Sequence, residues 1–193
     1  MILALLLLAS PVQEPLVEAT GAVPELVVDL RYATADNFMK TKVYPDSAKC
    51  LLLQSTATKL QAAAKALKVK GYRLKVWDCY RPLSVQFELW KVFPKPGYVA
   101  DPNKKGSLHN RGAAVDLTLV TADGGEVEMP TPYDNFTKAA HHSYAGGSPE
   151  ALLHRNILRD AMEGAGFKRN PMEWWHYELP GAISLPVRDE PFK

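Results

Sequence analysis

Two segments of the sequence combine a histidine with a carboxylate in a pattern that suits a metal centre. His109 precedes Asp116 by seven residues, and Gly112 between them permits a tight turn into a strand. Glu173 and His176 stand among large aromatic residues, where an unpartnered charge is unfavourable and a bound cation would supply the partner. Two imidazoles and one carboxylate make a three-ligand zinc site with an open fourth position, which leaves Glu173 available as a general base. These residue types predict metal-assisted hydrolysis.

Each of these pairs, taken alone, is open to a simpler interpretation. His109 and Asp116 would fit a hydrogen-bonded pair at the surface, and the second segment would fit aromatic core packing with Glu173 exposed. A fully extended strand would also turn Glu173 and His176 to opposite faces. We therefore expect an irregular stretch near residues 171–174 that lets both side chains reach one site.

Arg81 is the candidate for a further catalytic group. It follows Asp78 and precedes Pro82, at a predicted junction between a strand and a helix. A guanidinium group in a constrained turn can stabilise the oxyanion of a tetrahedral intermediate. The alternative is a structural salt bridge between Arg81 and Asp78.

Hydrophobic patterning places these candidates on a mixture of helices and strands. Residues 113–119 alternate, which puts Asp116 on the strand face opposite Val115 and Leu117. The patterns predict helices over residues 51–67, 82–90 and 149–164 or 149–166, and strands over residues 72–77, 113–119 and 174–179. No regular βαβ repeat joins these elements. We predict a single-domain α+β fold with a mainly antiparallel sheet flanked by helices.

Composition bounds the kind of protein that this chain can be. With 193 residues, of which 47% are hydrophobic and 23% charged, the chain can bury one substantial core. Its net charge is +2, and no block of lysine and arginine stands out, which argues against nucleic acid as a partner. Neither an internal repeat nor a linker marks a second domain.

The first residues and the two cysteines bear on where the protein acts. Residues 2–9 are all apolar, as in a secretory leader, but they are too few for a transmembrane helix. We predict a leader over residues 1–18, one domain over residues 19–193 and export to the periplasm, with a cytoplasmic location as the alternative. Cys50 and Cys79 are too few to make a zinc site by themselves. A disulfide between them and two separate buried thiols both remain open.

The three candidate segments together resemble D-alanyl-D-alanine dipeptidases of the vancomycin-resistance type. These belong to a group of zinc DD-peptidases that share the motifs Ser-x-His-x-x-Gly-x-x-x-Asp and Glu-x-Trp-His, which here run from Ser107 to Asp116 and from Glu173 to His176. The resemblance also covers residues 29–38, 78–82, 133–134 and 188–191, and only the segment before about Val27 lies outside it.

The resemblance implies a role for eight residues. It implies one zinc ion bound by His109, Asp116 and His176, Glu173 as the general base, Arg81 as the group that stabilises the oxyanion, and a substrate pocket formed by Tyr32, Ser107 and Asp134. Asp134 is expected to hold the free ammonium group of the dipeptide through a charge-assisted hydrogen bond. We expect no metal-binding role for His141, His142 or His154.

The substrate expected from this resemblance is a small molecule, the D-alanyl-D-alanine dipeptide. One alternative is a zinc DD-carboxypeptidase that trims longer peptidoglycan peptides and needs a more open groove. A second alternative is a zinc-stabilised binding module without catalysis, which would not require Glu173 or Arg81. The sequence predicts no oligomeric state.

Overall fold

The computed structural model describes residues 13–192, whose strands form two sheets. The strands are β1 (Leu16–Glu18), β2 (Val27–Val28), β3 (Leu51–Leu53), β4 (Tyr72–Asp78), β5 (Ala114–Thr121), β6 (Lys168–Arg169) and β7 (His176–Glu178). Five of them form a sheet in the order β2-β4-β5-β7-β6, in which only β2 and β4 are parallel neighbours. The antiparallel pair β1 and β3 forms the second sheet.

The helices cover the sheet and complete the core. They are α1 (Ala19–Ala22), α2 (Gln54–Lys68), α3 (Leu83–Val92) and α4 (Pro149–Gly164). Helices α2 and α4 pack on each other, α2 against β4 and α4 against β5 and β6. Their apolar faces join the inner side chains of the sheet in one cluster, to which Leu60, Leu117 and Leu158 belong as fully buried members. The predicted α+β fold with a mainly antiparallel sheet is confirmed.

Helix α4 forms for the reasons that its sequence suggests. The Ser148 hydroxyl accepts a hydrogen bond from the Ala151 amide at 3.0 Å, so it caps the first turn. Pro149 occupies the first helical position, where its missing N–H leaves no backbone bond unmade. The helix ends at Gly164, and Gly166 follows with a φ of +88° that turns the chain away.

Two elements differ from the sequence prediction. Residues Leu51–Leu53, which the helical pattern included, form strand β3 against β1, and α2 begins only at Gln54. A run of three leucines suits either structure, so only pairing with residues 16–18 decides it. The last strand is also shorter than predicted, because residues 171–175 form turns before β7 begins at His176.

Strand register brings two aspartates and one histidine into line across the centre of the sheet. Asp78 at the end of β4 pairs with Asp116 on β5, and Asp116 pairs in turn with His176 on β7. His109 approaches the same place from a short 3-10 helix, His109–Arg111, which Gly112 follows. Gly112 has a φ of +67°, and a Cβ there would lie 3.1 Å from the Leu53 backbone nitrogen. The turn into β5 therefore requires glycine.

The two cysteines form a disulfide, which resolves the alternatives left by the sequence. Cys50 and Cys79 have Cα atoms 5.1 Å apart, and both side chains are buried. The bond joins the residue before β3 to the residue after β4, beside the segment that carries Arg81.

The predicted leader lies mostly outside the described residues. Residues 1–12 of that prediction are not described, whereas residues 16–18 form β1 and pair with β3. Within residues 13–192, none of the helices has the length and apolar character that crossing a bilayer requires.

Candidate metal and substrate site

Three side chains from separate segments meet at one point. His109 Nε2 lies 3.2 Å from His176 Nδ1 and 3.3 Å from Asp116 Oδ1, and the His176 and Asp116 atoms are 2.9 Å apart. Atoms bound tetrahedrally to one zinc ion at about 2.0–2.2 Å lie roughly 3.3–3.6 Å from one another. The triangle is therefore close to the size that a zinc ion needs, and its two nitrogens and one oxygen are suitable donors. His109, Asp116 and His176 could hold one metal ion.

Each of the three side chains has a second partner that fixes its orientation. His109 Nδ1 donates to the Cys79 carbonyl at 2.7 Å, which leaves its Nε2 as an acceptor facing the centre. His176 Nε2 lies 3.4 Å from Glu178 Oε2, so its Nδ1 faces the centre. Tyr133 donates from its hydroxyl to Asp116 Oδ2 at 2.9 Å. Outer partners of this kind are usual around metal ligands, where they set tautomer and ring position.

The electrostatics of the cluster favour a positive charge at its centre. Burial works against the ionised form of Asp116, but the neighbouring imidazoles hold its pKa well below the ordinary value. Burial also works against the charged form of His176, whereas its hydrogen bond to Asp116 raises its pKa to about 10. In the metal-free protein, the proton on His176 supplies this positive charge among the two imidazole nitrogens and the Asp116 oxygen. A divalent metal would satisfy all three of them together.

Glu173 reaches the site from the turn that precedes β7. Its backbone carbonyl accepts a hydrogen bond from the His176 amide at 3.2 Å, so the chain between them is not extended. This is the irregular stretch that the sequence predicted. The carboxylate is buried, and Asn170 Nδ2 donates to its Oε2 at 2.6 Å. Burial raises the pKa of Glu173 to about 8.

Arg81 is held rigidly beside the cavity. Its Nε donates to Asp78 Oδ2 at 3.0 Å, its Nη2 donates to the same oxygen, and its Nη1 donates to Gln86 Oε1 at 2.8 Å. Burial disfavours the charge, but Asp78 keeps the pKa of Arg81 well above its ordinary value. The salt bridge with Asp78 is therefore present. Three of the five N–H groups of a guanidinium are engaged, which leaves two that the cavity can use.

Asp134 places a further carboxylate at the wall of the same cavity. Its Oδ2 accepts from the Phe38 amide at 3.0 Å, and its Oδ1 lies 3.4 Å from the Tyr32 hydroxyl. Among residues 13–192, no basic side chain forms an ion pair with it. Burial raises its pKa to about 7. An ammonium group from a ligand would supply the missing partner.

Ser107 also contributes an unused donor. Its hydroxyl oxygen accepts a hydrogen bond from the His109 amide at 3.2 Å, and no acceptor for its own O–H lies among the described residues. The side chain is buried at the wall of the site, where it can donate to a bound molecule.

All eight candidate residues line one cavity of about 520 Å³. They are Tyr32, Arg81, Ser107, His109, Asp116, Asp134, Glu173 and His176. The other histidines make separate contacts: His141 with the Tyr98 hydroxyl at 3.1 Å and His154 with the Glu128 carbonyl at 2.9 Å, while His142 packs against the Tyr177 ring. Within residues 13–192 the only cluster able to hold a metal is the one around Asp116.

Sequence reasoning missed three residues that support the site. Glu178 stands two residues after His176 in one strand and so shares its face, a signal that could have identified it. Asn170 precedes Pro171, and an Asn-Pro pair is typical of a turn. Gln86 gave no signal, because one glutamine in a helix usually faces solvent. Here it is fully buried against Arg81.

Comparison with known proteins gives a consistent result over nearly the whole chain. The family model described as D-ala-D-ala dipeptidase matches residues 13–192. The D-alanyl-D-alanine dipeptidase of Escherichia coli is 36% identical over 177 residues, which cover 92% of this chain and 91% of that protein. The proteins of the same name from Enterococcus faecium and Enterococcus faecalis are each 34% identical over 85% of this chain, and the matches cover 87% and 89% of those proteins. With matches of this extent, the chain belongs to the D-alanyl-D-alanine dipeptidases, a family of metallopeptidases, and is a peptidase.

Proposed function

We propose that this chain hydrolyses the D-alanyl-D-alanine dipeptide to two molecules of D-alanine, with one zinc ion held by His109, Asp116 and His176. The observation that carries the proposal is one cavity containing both this three-ligand cluster and the Asp134 carboxylate, which forms no ion pair with a basic side chain of residues 13–192. The names of the related proteins supply the substrate, and the donor set supports zinc.

Asp134 recognises the end of the substrate that distinguishes a dipeptide from a longer peptide. A free ammonium group lies one residue from the peptide bond only when the substrate is a dipeptide. The Asp134 carboxylate receives this group through a charge-assisted hydrogen bond, with the Tyr32 hydroxyl beside it. The bound cation also lowers the pKa of Asp134 and keeps it ionised.

Glu173 moves the proton that the reaction requires. A bound zinc ion supplies Lewis acidity, which lowers the pKa of water and polarises the substrate carbonyl. Glu173 accepts a proton from a water molecule as the oxygen of that water bonds to the carbonyl carbon. The C–N bond then breaks, its electron pair leaves on nitrogen, and Glu173 returns the proton there. A pKa of about 8 in the metal-free protein suits a group that must accept and release a proton near neutral pH.

Arg81 stabilises the negative charge that develops on the carbonyl oxygen. Asp78 and Gln86 fix the guanidinium, so little reorganisation is needed when the charge appears. Its two unused N–H groups are available for that oxygen. In the same cavity, the Ser107 hydroxyl donates a hydrogen bond to the substrate.

The alternatives fit these observations less well. A carboxypeptidase that acts on longer peptides has no free ammonium group for Asp134 near the peptide bond, which would leave a half-buried carboxylate without a partner. A binding module without catalysis has no use for a buried carboxylate such as Glu173, or for Arg81 with donors to spare.

Zinc dependence is tested by removing and restoring the metal. Protein treated with a chelator should release no D-alanine from D-alanyl-D-alanine, and one equivalent of zinc should restore the rate. Asp116→Asn should bind zinc more weakly and stay inactive at one equivalent. His154→Ala, which changes a histidine outside the cluster, should bind zinc and react like the wild type. Full activity in chelator, with no metal bound, would contradict the proposal.

We also propose that the protein is exported to the periplasm. The buried Cys50–Cys79 disulfide supports this location, because such bonds persist in oxidising compartments and are rare in the cytoplasm. Cell fractionation with thiol alkylation tests the proposal. The protein should be found outside the cytoplasm with both cysteines protected from alkylation. Recovery in the cytoplasm with two free thiols would support the alternative location.

A further inference from the structure

The side chain of Asn170 is the only described hydrogen-bond partner of the Glu173 carboxylate. Its Nδ2 donates to Glu173 Oε2 at 2.6 Å inside the cavity wall. We propose that Asn170 is a positioning residue for Glu173, which determines the carboxylate oxygen that exchanges the proton. This inference rests on the proposed role of Glu173 as the general base.

Asn170 is itself fixed by contacts on both its backbone and its side chain. Its backbone amide donates to the His176 carbonyl at 3.0 Å, and its carbonyl accepts from the Glu173 amide at 3.3 Å. The side-chain oxygen accepts from the Met172 amide at 3.0 Å. Because this acceptor is engaged, the NH2 group must be the one that faces Glu173. Its second hydrogen can reach the Gly97 carbonyl, 3.4 Å away.

This arrangement makes the two oxygens of Glu173 unequal. Oε2 is tied to Asn170, whereas Oε1 accepts no hydrogen bond from residues 13–192, although Glu173 lines the cavity. The terminal torsion of a glutamate is broad and has no strong preference of its own. The Asn170 amide therefore sets the plane of the carboxylate. Oε1 is then the oxygen that accepts a proton from water and returns it to the leaving nitrogen.

Two substitutions at Asn170 separate this role from support of the turn. Asn170→Asp keeps an oxygen for the Met172 amide but replaces the donor to Glu173 with a second carboxylate oxygen. Asn170→Ser also keeps an acceptor for the turn and adds no charge, and its hydroxyl lies one atom closer to the backbone than the NH2 group of Asn170, so it does not reach Glu173. Asn170→Ser should retain the thermal stability and zinc content of the wild type, whereas Asn170→Asp should lose some stability because it sets two carboxylates side by side. Their kcat for D-alanyl-D-alanine should fall about 10- to 100-fold, with KM little changed, because a misplaced catalytic group reduces rate more than binding.

The decisive comparison combines Asn170→Ser with Glu173→Ala. If Asn170 acts through Glu173, the double variant should have the same residual kcat as Glu173→Ala alone. A further 10- to 100-fold loss in the double variant would show an independent role and overturn the inference.

The remaining outcomes separate this inference from the proposed function. Wild-type kcat in Asn170→Asp and Asn170→Ser, with Glu173→Ala inactive, would overturn the inference and leave the proposed function standing. Wild-type kcat in Glu173→Ala would overturn the inference together with the proposed role of Glu173 as general base, because Asn170 would then have no base to position. Absence of D-alanine release by the zinc-loaded wild type would overturn the proposed function itself.

Discussion

Replacement of Asp134 by asparagine should weaken substrate binding and at the same time stabilise the protein. The substitution removes the charge and preserves the shape. Asp134 has a φ of 57°, a left-handed conformation that asparagine adopts readily. An asparagine side chain can accept from the Phe38 amide with its oxygen and donate to the Tyr32 hydroxyl with its nitrogen. The fold should therefore be unchanged.

The loss of binding follows from the ammonium group that Asp134 is proposed to hold. Truncating one partner of a buried, hydrogen-bonded charge pair costs about 2–5 kcal/mol. At ~1.4 kcal/mol for each factor of ten, kcat/KM for D-alanyl-D-alanine should fall by at least about 30-fold. The change should lie mainly in KM, because the ammonium group does not take part in bond cleavage.

The gain in stability follows from the raised pKa of Asp134. A folded pKa of about 7, against an ordinary value of 3.8, corresponds to about 4 kcal/mol when the group is fully ionised. The side chain faces the cavity and is partly exposed, so we expect solvent screening to reduce this to about 1–2 kcal/mol. Because the folded pKa is raised, the penalty is absent below pH 4, grows between pH 4 and 7, and is complete above pH 7.

Two measurements test both halves of this prediction. Urea unfolding of the metal-free proteins should show equal stability near pH 4 and a more stable Asp134→Asn variant at pH 8. Steady-state kinetics of the zinc-loaded proteins should show the loss in kcat/KM. Asp160→Asn, which removes a carboxylate from the surface of α4, should change neither quantity. An Asp134→Asn variant with unchanged KM would contradict the proposed contact with the ammonium group, and one less stable than the wild type at pH 8 would contradict a destabilising charge on Asp134.

Three further predictions concern the supports of the site. Glu178→Gln should weaken zinc binding about 10- to 100-fold in a competition titration, because a neutral amide is a weaker hydrogen-bond acceptor for His176 Nε2 than a carboxylate. Unchanged affinity would contradict a role of Glu178 in orienting His176. Replacing Cys50 and Cys79 by serine should lower the free energy of unfolding, measured by urea unfolding, by about 3–4 kcal/mol, because the disulfide joins residues 29 positions apart. Unchanged stability would contradict this prediction. Arg81→Lys should lower kcat about 10²- to 10³-fold in steady-state assays, and wild-type kcat would exclude oxyanion stabilisation by Arg81.

Much of the architecture around the site could be predicted from local sequence. Alternation placed Asp116 on a strand, and the capping pattern at Ser148 located the start of α4. In an extended chain Glu173 and His176 would point in opposite directions, so a turn between them was expected. The structure contains this turn. Three short segments supplied the candidate ligands, the base and Arg81, the family resemblance added the substrate-pocket residues, and all of them line the same cavity.

The supporting contacts could not be predicted, because they depend on register between distant segments. The Cys79 carbonyl reaches His109 across 30 positions, and Gln86 meets Arg81 only once α3 has packed. Residues 51–53 show the same limit, since three leucines become a strand only when residues 16–18 lie beside them. Local pattern identifies what a segment can form, whereas pairing between segments determines what it does form.

The proposed dipeptidase activity is tested most directly by the release of free D-alanine from D-alanyl-D-alanine and from a cell-wall pentapeptide, measured for the zinc-loaded protein beside Glu173→Ala. A dipeptidase with Glu173 as its base should release D-alanine from the dipeptide alone, at a rate at least about 100-fold lower in the variant. Release mainly from the pentapeptide would contradict it in favour of a carboxypeptidase. Release from neither substrate would contradict catalysis and favour a binding module.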